Sequence, residues 1–289
     1  MTIKNKINVA VAIIGTGAML ALGTFSAFAE VNSGIGLGAN AAASGSVNAG
    51  GLQVQIGANA DSDVKVNSGT IVKADTEIEN RIGALNGLEG RINAMQKLSS
   101  DEKSNLSSLV QAQISAMTNL ESQIKTDNDD HNTSSLRADI QSITKGFRIY
   151  ALVLPQGQIA AASDRVMTIT GAMGSLAATL QTRISAAQAE GANMSSSVSA
   201  LADLNAKIAD ANIQAQAATN ETASLKPDNG SSTVMNANTA ILKDARTKIQ
   251  AAQKDLIAAR ADAMLIVKAI KVAERLEVHA TTTASTTNH

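Results

Sequence analysis

Cysteine is absent from the 289 residues, and so is tryptophan. Without cysteine no disulfide braces the fold, no thiolate is available as nucleophile or zinc ligand, and no lipid can be attached to a cysteine behind a leader. The aromatic complement is three Phe and one Tyr. A core must therefore be built from Ala, Leu, Ile, Val and Met, and the aromatic platforms that glycan-cleaving sites use for stacking are missing. Two Pro are too few for the punctuation of a β-sandwich. The net charge is −1, with both signs scattered along the chain, which argues against the electrostatic footprint of a nucleic-acid or anionic-membrane binder.

What is present begins with an export signal. Lys4 and Lys6 precede an uncharged apolar run, Ile7 to Leu22, and Ala27-Phe28-Ala29 forms a small-x-small cleavage site before Glu30. The pattern predicts a signal peptide over 1–29, cut between Ala29 and Glu30, and a mature protein that works in the periplasm, at the cell surface or in the medium. The competing reading is a retained anchor. The run is short against the roughly 20 residues of a spanning helix, and Asn8, Gly15 and Gly17 interrupt it. Cleavage leaves about 260 residues, enough to bury a sizeable core.

Val31 to Lys73 is rich in Gly, Ala, Ser and Asn. Alternation at Leu52 to Ile56 and Val64 to Val66 predicts a flexible arm with at most a weak hairpin, because glycine raises the entropy cost of ordering it. From Ala74 the period becomes helical. Asp75 or Thr76 can cap the start of a helix on Ile78, Ile82, Leu85, Ile92 and Met95, with Glu79 completing a capping box with Thr76. A second box, Ser99 to Glu102, leads into a face of Leu106, Val110, Ile114, Met117, Leu120 and Ile124. Beyond a polar loop, 126–135, Leu136, Ile140, Ile143, Phe147, Tyr150 and Leu154 share a face that resumes after Pro155 with Ile159, Ala162, Val166, Ile169, Met173, Leu176, Leu180 and Ile184. Pro155 is expected to kink or split this helix. Turns follow at 190–193 and 226–230. Val198, Leu201, Leu204 and Ile208 open the next helix. The last helix, about 233–278, turns Ile241 or Leu242, Ala245, Ile249, Ala252, Leu256, Ala259, Ala263, Ile266, Ile270 and Ala273 inward, and a Thr-rich tail, 279–289, is expected to be disordered.

These patterns predict an all-α protein: an antiparallel helical bundle or elongated coiled-coil hairpin of five to six long amphipathic helices, with a flexible Gly-rich N-terminal arm. The domains expected are 1–29 signal peptide, 30–73 arm, 74–278 bundle and 279–289 tail.

Reactive chemistry is hard to place on this pattern. His131 falls in a polar loop, His279 at a helix end and His289 at the last position, so no rigid base is offered to a Ser nucleophile and no His pair to zinc. Gly34-Ile35-Gly36-Leu37-Gly38 lacks the leading strand and the Gly-Lys-Ser/Thr of a phosphate loop. Asp127 and Asp129 fit the first and third positions of a calcium loop, but Asn132 stands where Gly belongs and Ala138 where a bidentate Glu is required. Carboxylates for glycoside chemistry are scattered over every helix and have a simpler use as i, i+4 partners, as in Asp244 with Lys248. No catalytic, cofactor-binding or metal-binding residue is therefore assigned.

Phe147 to Leu154 holds two of the four aromatic residues beside Pro155, with apolar side chains on more than one helical face. Phe147, Tyr150, Leu152, Leu154 and Pro155 are expected at the most buried point of the bundle. The alternative is a partner-binding or membrane-inserting patch. Together with the Lys226-Pro227-Asp228-Asn229-Gly230 turn and the Ala245 to Ile270 helix, this block resembles Ala-rich secreted helical proteins of bacteria over about Asp75 to Lys271. The resemblance implies export and a helical fold and carries no activity or site residues. The expectation is a non-enzymatic structural or interaction protein of the envelope or cell surface, without cofactor. Its expected partner is another protein or a second copy, met through helical faces. Nucleic acid is not expected, and membrane contact is possible but not favoured. The alternatives are a membrane-active protein inserting Phe147 to Leu154 and, further off, a glycan-acting enzyme.

Overall fold

The computed structural model describes the backbone of 46–49, 52–55 and 68–286 without 229 and 230; side chains are described over 68–276 apart from 144, 145, 147, 148, 229 and 230. Two short strands, β1 (Ser46–Ala49) and β2 (Leu52–Gln55), pair in a two-stranded sheet. Among the described residues five helices follow: α1 (Ser68–Ala94), α2 (Ser100–Asp129), α3 (Thr133–Ala189), α4 (Ser195–Ala223) and α5 (Ser232–Thr286). The helical part is an all-α bundle.

α3 organises the bundle. Its 57 residues make a rod of about 85 Å at 1.5 Å per residue. α1 and α2 pack on each other and on α3, and α4 and α5 do the same, with the α4–α5 contact the most extensive. The first group closes over Leu85, Leu88, Ile92, Leu106, Val110, Val153 and their neighbours, and over a second cluster containing Ile78, Met117, Ile124 and Ile140. On α5, Leu242, Ala245, Ile249, Ala252, Leu256, Ala259, Ala263, Ile266 and Ile270 are buried. Their spacing of three and four, with small residues set among large ones, lets the facing helix approach closely. Ala211, Ala215 and Ala218 of α4 are fully buried as well.

Several expectations need correction. α1 begins at Ser68, not at an Asp75 or Thr76 cap: the Thr76 hydroxyl donates to Val72 O within the helix. The first helical residues thus lie inside the expected arm. The loop expected over 126–135 shrinks to Asp130–Asn132, because α2 runs to Asp129 and α3 starts at Thr133. His131 takes a φ of 55° there, and Asn132 Oδ1 accepts the Ser135 N–H at 3.3 Å, so one reversed residue and one cap suffice for the turn. Pro155 lies inside α3 and does not split it. α5 continues to Thr286, past the expected end at Val278. The Ser99 capping box stands as read, with Glu102 returning to the Ser99 N–H at 2.8 Å. The proposed cleavage site at Ala27, Ala29 and Glu30 and the glycines at 34–38 lie outside the described residues.

Candidate functional site

The middle of α3 is the most enclosed stretch of the bundle. Leu152, Val153, Pro155, Gln156, Gly157, Ile159, Ala160, Ser163, Asp164 and Val166 are all buried, a pattern that covers more than one helical face. A helix needs neighbours on two sides to bury that much, and α1 and α4 supply them. On the α1 side, a Cβ added at Gly157 would sit 2.6 Å from both Cδ atoms of Leu88, so the absence of a side chain is what admits that leucine. On the α4 side, Gln156 Nε2 donates to Thr222 O at 2.9 Å. Of the residues expected here, Leu152 and Pro155 are buried, while Tyr150 and Leu154 are partly so. The side chain of Phe147 lies outside the described ones. Burial is deepest a turn or more beyond the expected Phe147 to Leu154 block.

Three buried polar contacts tie α3 to its neighbours. Arg81 of α1 is 1 % exposed; its Nε binds Glu77 Oε1 at 2.8 Å, its Nη1 donates to Ile143 O at 2.8 Å, and its guanidinium lies 5.6 Å from the centre of the Tyr150 ring. Burial pushes the Tyr150 phenol above its ordinary value, while the Arg81 charge pulls it back and Glu77 adds to the rise. Gln156 makes the second contact. In the third, Asp164 Oδ1 accepts the N–H groups of Gln96, Lys97 and Leu98 at 2.8, 2.5 and 3.1 Å. These amides belong to the α1–α2 connection, whose donors lack helical partners, and the carboxylate of another helix satisfies them. In two of the three contacts the charged group ends on backbone, and in the third an amide does. Such bonds hold helices in register.

Sequence reasoning missed Arg81 and Asp164. Arg81 carried a legible signal: Ala74, Ile78, Arg81, Leu85, Leu88, Ile92 and Met95 step by four and three, so strict seam spacing selects Arg81, whereas Ile82 is only partly buried. Asp164 carried none, because its partners are backbone amides more than sixty positions away.

Two concavities stand out among the described residues. One, of about 470 Å³, lies where the end of α2 meets the start of α3 and includes Ser122, Asp127, Ser135 and Asp139. Partial burial raises the Asp139 carboxyl above the usual range, and its hydrogen bond and repulsion with Asp127 raise it further. Asp127 and Asp129 lie on the last turn of α2, not in a calcium loop. Among the described residues no group of three or more His, Cys, Asp or Glu is placed to hold a metal ion. The other concavity, of about 810 Å³, lies between the 190–194 turn and α5, against Met194, Leu265, Lys268, Val272 and Leu276. The turn itself reverses at Gly191, with φ at 89°, where glycine is suited to the left-handed region. No helix of the described residues is long and apolar enough to cross a membrane. No known protein family, curated protein or solved structure matches this chain.

Proposed function

We propose that this protein is an exported, non-enzymatic structural or interaction protein of the bacterial envelope or cell surface. The observation that carries the reading is the use made of the buried polar groups. Arg81 and Gln156 bond backbone of neighbouring helices and Asp164 the backbone of the α1–α2 connection, so the chemistry at the most enclosed part of the fold serves to fix helices and display their outer faces. The leader pattern of Lys4, Lys6 and Ala27-Phe28-Ala29 supports export, and the long seams of α4 and α5 support a scaffold role. Partner contact through helical faces follows from the same architecture.

Cell fractionation with intact-mass analysis tests the proposal. The expected result is a chain beginning at Glu30, recovered from the periplasm, surface or medium. A cytoplasmic chain still carrying Met1 would overturn it.

A further inference from the structure

Half of the large hydrophobic side chains exposed among the described residues lie on one stretch of α5: Ile257, Met264, Leu265, Val272 and Leu276, each between 51 and 66 % exposed. Only two other kinds of residue are exposed between 254 and 276, namely Ala261 and the cations Lys254, Lys268, Lys271 and Arg275. At 100° per residue all of them fall within an arc of roughly 140°, opposite the seam that α5 presents to the bundle.

The acidic residues of the stretch are elsewhere. Asp262 pairs with Lys207 of α4 at 2.5 Å and Glu274 with Arg183 of α3 at 2.5 Å, while Asp255 is half-buried off the arc. Asp262 and Glu274 thus help bind α5 to the bundle, and over 254–276 its exposed residues are apolar or positive. A chain of net charge −1 accordingly carries one local face of a different character.

We propose that this face of α5 docks on an anionic lipid surface, lying in the headgroup region without spanning the bilayer. The proposal rests on the interaction reading above and names its partner. Charge selects the occupant. A second copy of the face would bring cation against cation. A dry protein interface excludes lysine from its centre, yet Lys268 sits amid Met264, Leu265 and Val272 near the middle of the arc. A lipid surface accommodates both, since apolar groups enter the acyl boundary while lysine stems extend to bring their ammonium groups to phosphate. The groove of about 810 Å³ along Leu265, Lys268, Val272 and Leu276 continues the apolar wall of this face, with Glu190 of the 190–194 turn on its far side. This face is distinct from the Phe147 to Leu154 block first considered for membrane contact, where Leu152 is buried against the bundle.

Flotation of the chain, as recovered from its host, with vesicles of phosphatidylcholine alone or with one third phosphatidylglycerol tests the proposal. Binding to the anionic vesicles is expected, weakening in 0.5 M salt. Lys268→Glu, Lys271→Glu and Arg275→Glu together should lower it at least about tenfold with an unchanged melting temperature, as these side chains are exposed. Lys73→Glu, Lys226→Glu and Lys243→Glu alter net charge equally on other exposed positions and should leave binding near that of the wild type. Absence of binding to anionic vesicles would overturn the proposal, as would equal loss in both triple variants. A dimer that Leu265→Asn with Val272→Asn dissociates, or cross-links from Lys268 to an acidic protein, in either case without vesicle binding, would assign the face to another occupant and overturn it too. None of these failures touches the fractionation result, so export and lipid docking fail separately.

Discussion

Glycine has opposite meanings at two positions of this fold, and space alone separates them. Gly157 faces Leu88 across a gap that a methyl group would close to 2.6 Å, and Leu88 is 1 % exposed and has little room to retreat. A methyl group added at Gly90 of α1 would meet nothing within 4 Å. Replacing Gly by Ala inside a helix stabilises by about 0.5 to 1 kcal/mol when nothing is in the way, whereas overpacking a closed core costs roughly 1 to 3 kcal/mol. Thermal melts should therefore place Gly90→Ala above wild type and Gly157→Ala below it. Equal shifts for the two would mean that α1 and α3 do not meet at Leu88. The Arg81 site follows a related logic: a guanidinium whose Nε and Nη1 meet Glu77 and Ile143 O and whose plane lies near the Tyr150 ring replaces an apolar seam residue because these contacts offset the cost of burying its charge.

Each helix presents a face whose legibility depends on how its partner was built. α5 was readable residue by residue, with Leu242, Ala245, Ile249 and Leu256 buried as their spacing required, since a seam against one long neighbour preserves its period. The start of α4 was not: Val198 is 44 % exposed and Ser197 buried, because the turn at 190–193 sets the entry angle and no local residue type encodes it. The α2–α3 connection misled for another reason. Asp127 to Asp129 are polar enough for a loop, yet they continue α2, since exposed helix ends tolerate polar residues. That junction yields a pH effect. Asp139 has a folded-state value raised by partial burial and by Asp127, so its contribution to stability is fully present below the unfolded carboxylate value and is lost as pH rises through the folded one. Asp139→Asn should accordingly raise the melting temperature at neutral pH, with the gain fading toward pH 4. A gain that persists unchanged at pH 4 would show that repulsion with Asp127 is not its origin.

For the whole bundle, the decisive feature is that two groups of helices share one continuous rod. α1 and α2 pack along α3 from Leu136 to Met167, α4 meets it at Gln156 and α5 at Arg183, so the enclosed residues from Leu152 to Val166 serve both groups. Gln156 reaches α4 from this stretch and Asp164 holds the α1–α2 connection from it, so neither group can come away without exposing apolar surface and orphaned backbone groups in the other. Intrinsic helix propensity does not explain such a centre, because Pro155 lacks a backbone donor and Gly157 lacks a side chain; tertiary packing must hold it. Amides over 156–166 should thus exchange only through global opening, more slowly than those at the far ends of α1 and α5. Denaturant melts followed by hydrogen-exchange mass spectrometry would measure this directly. A slow core confined to α4 and α5, with 156–166 exchanging early, would mean that the halves unfold independently and that α3 joins them as a linker without coupling them.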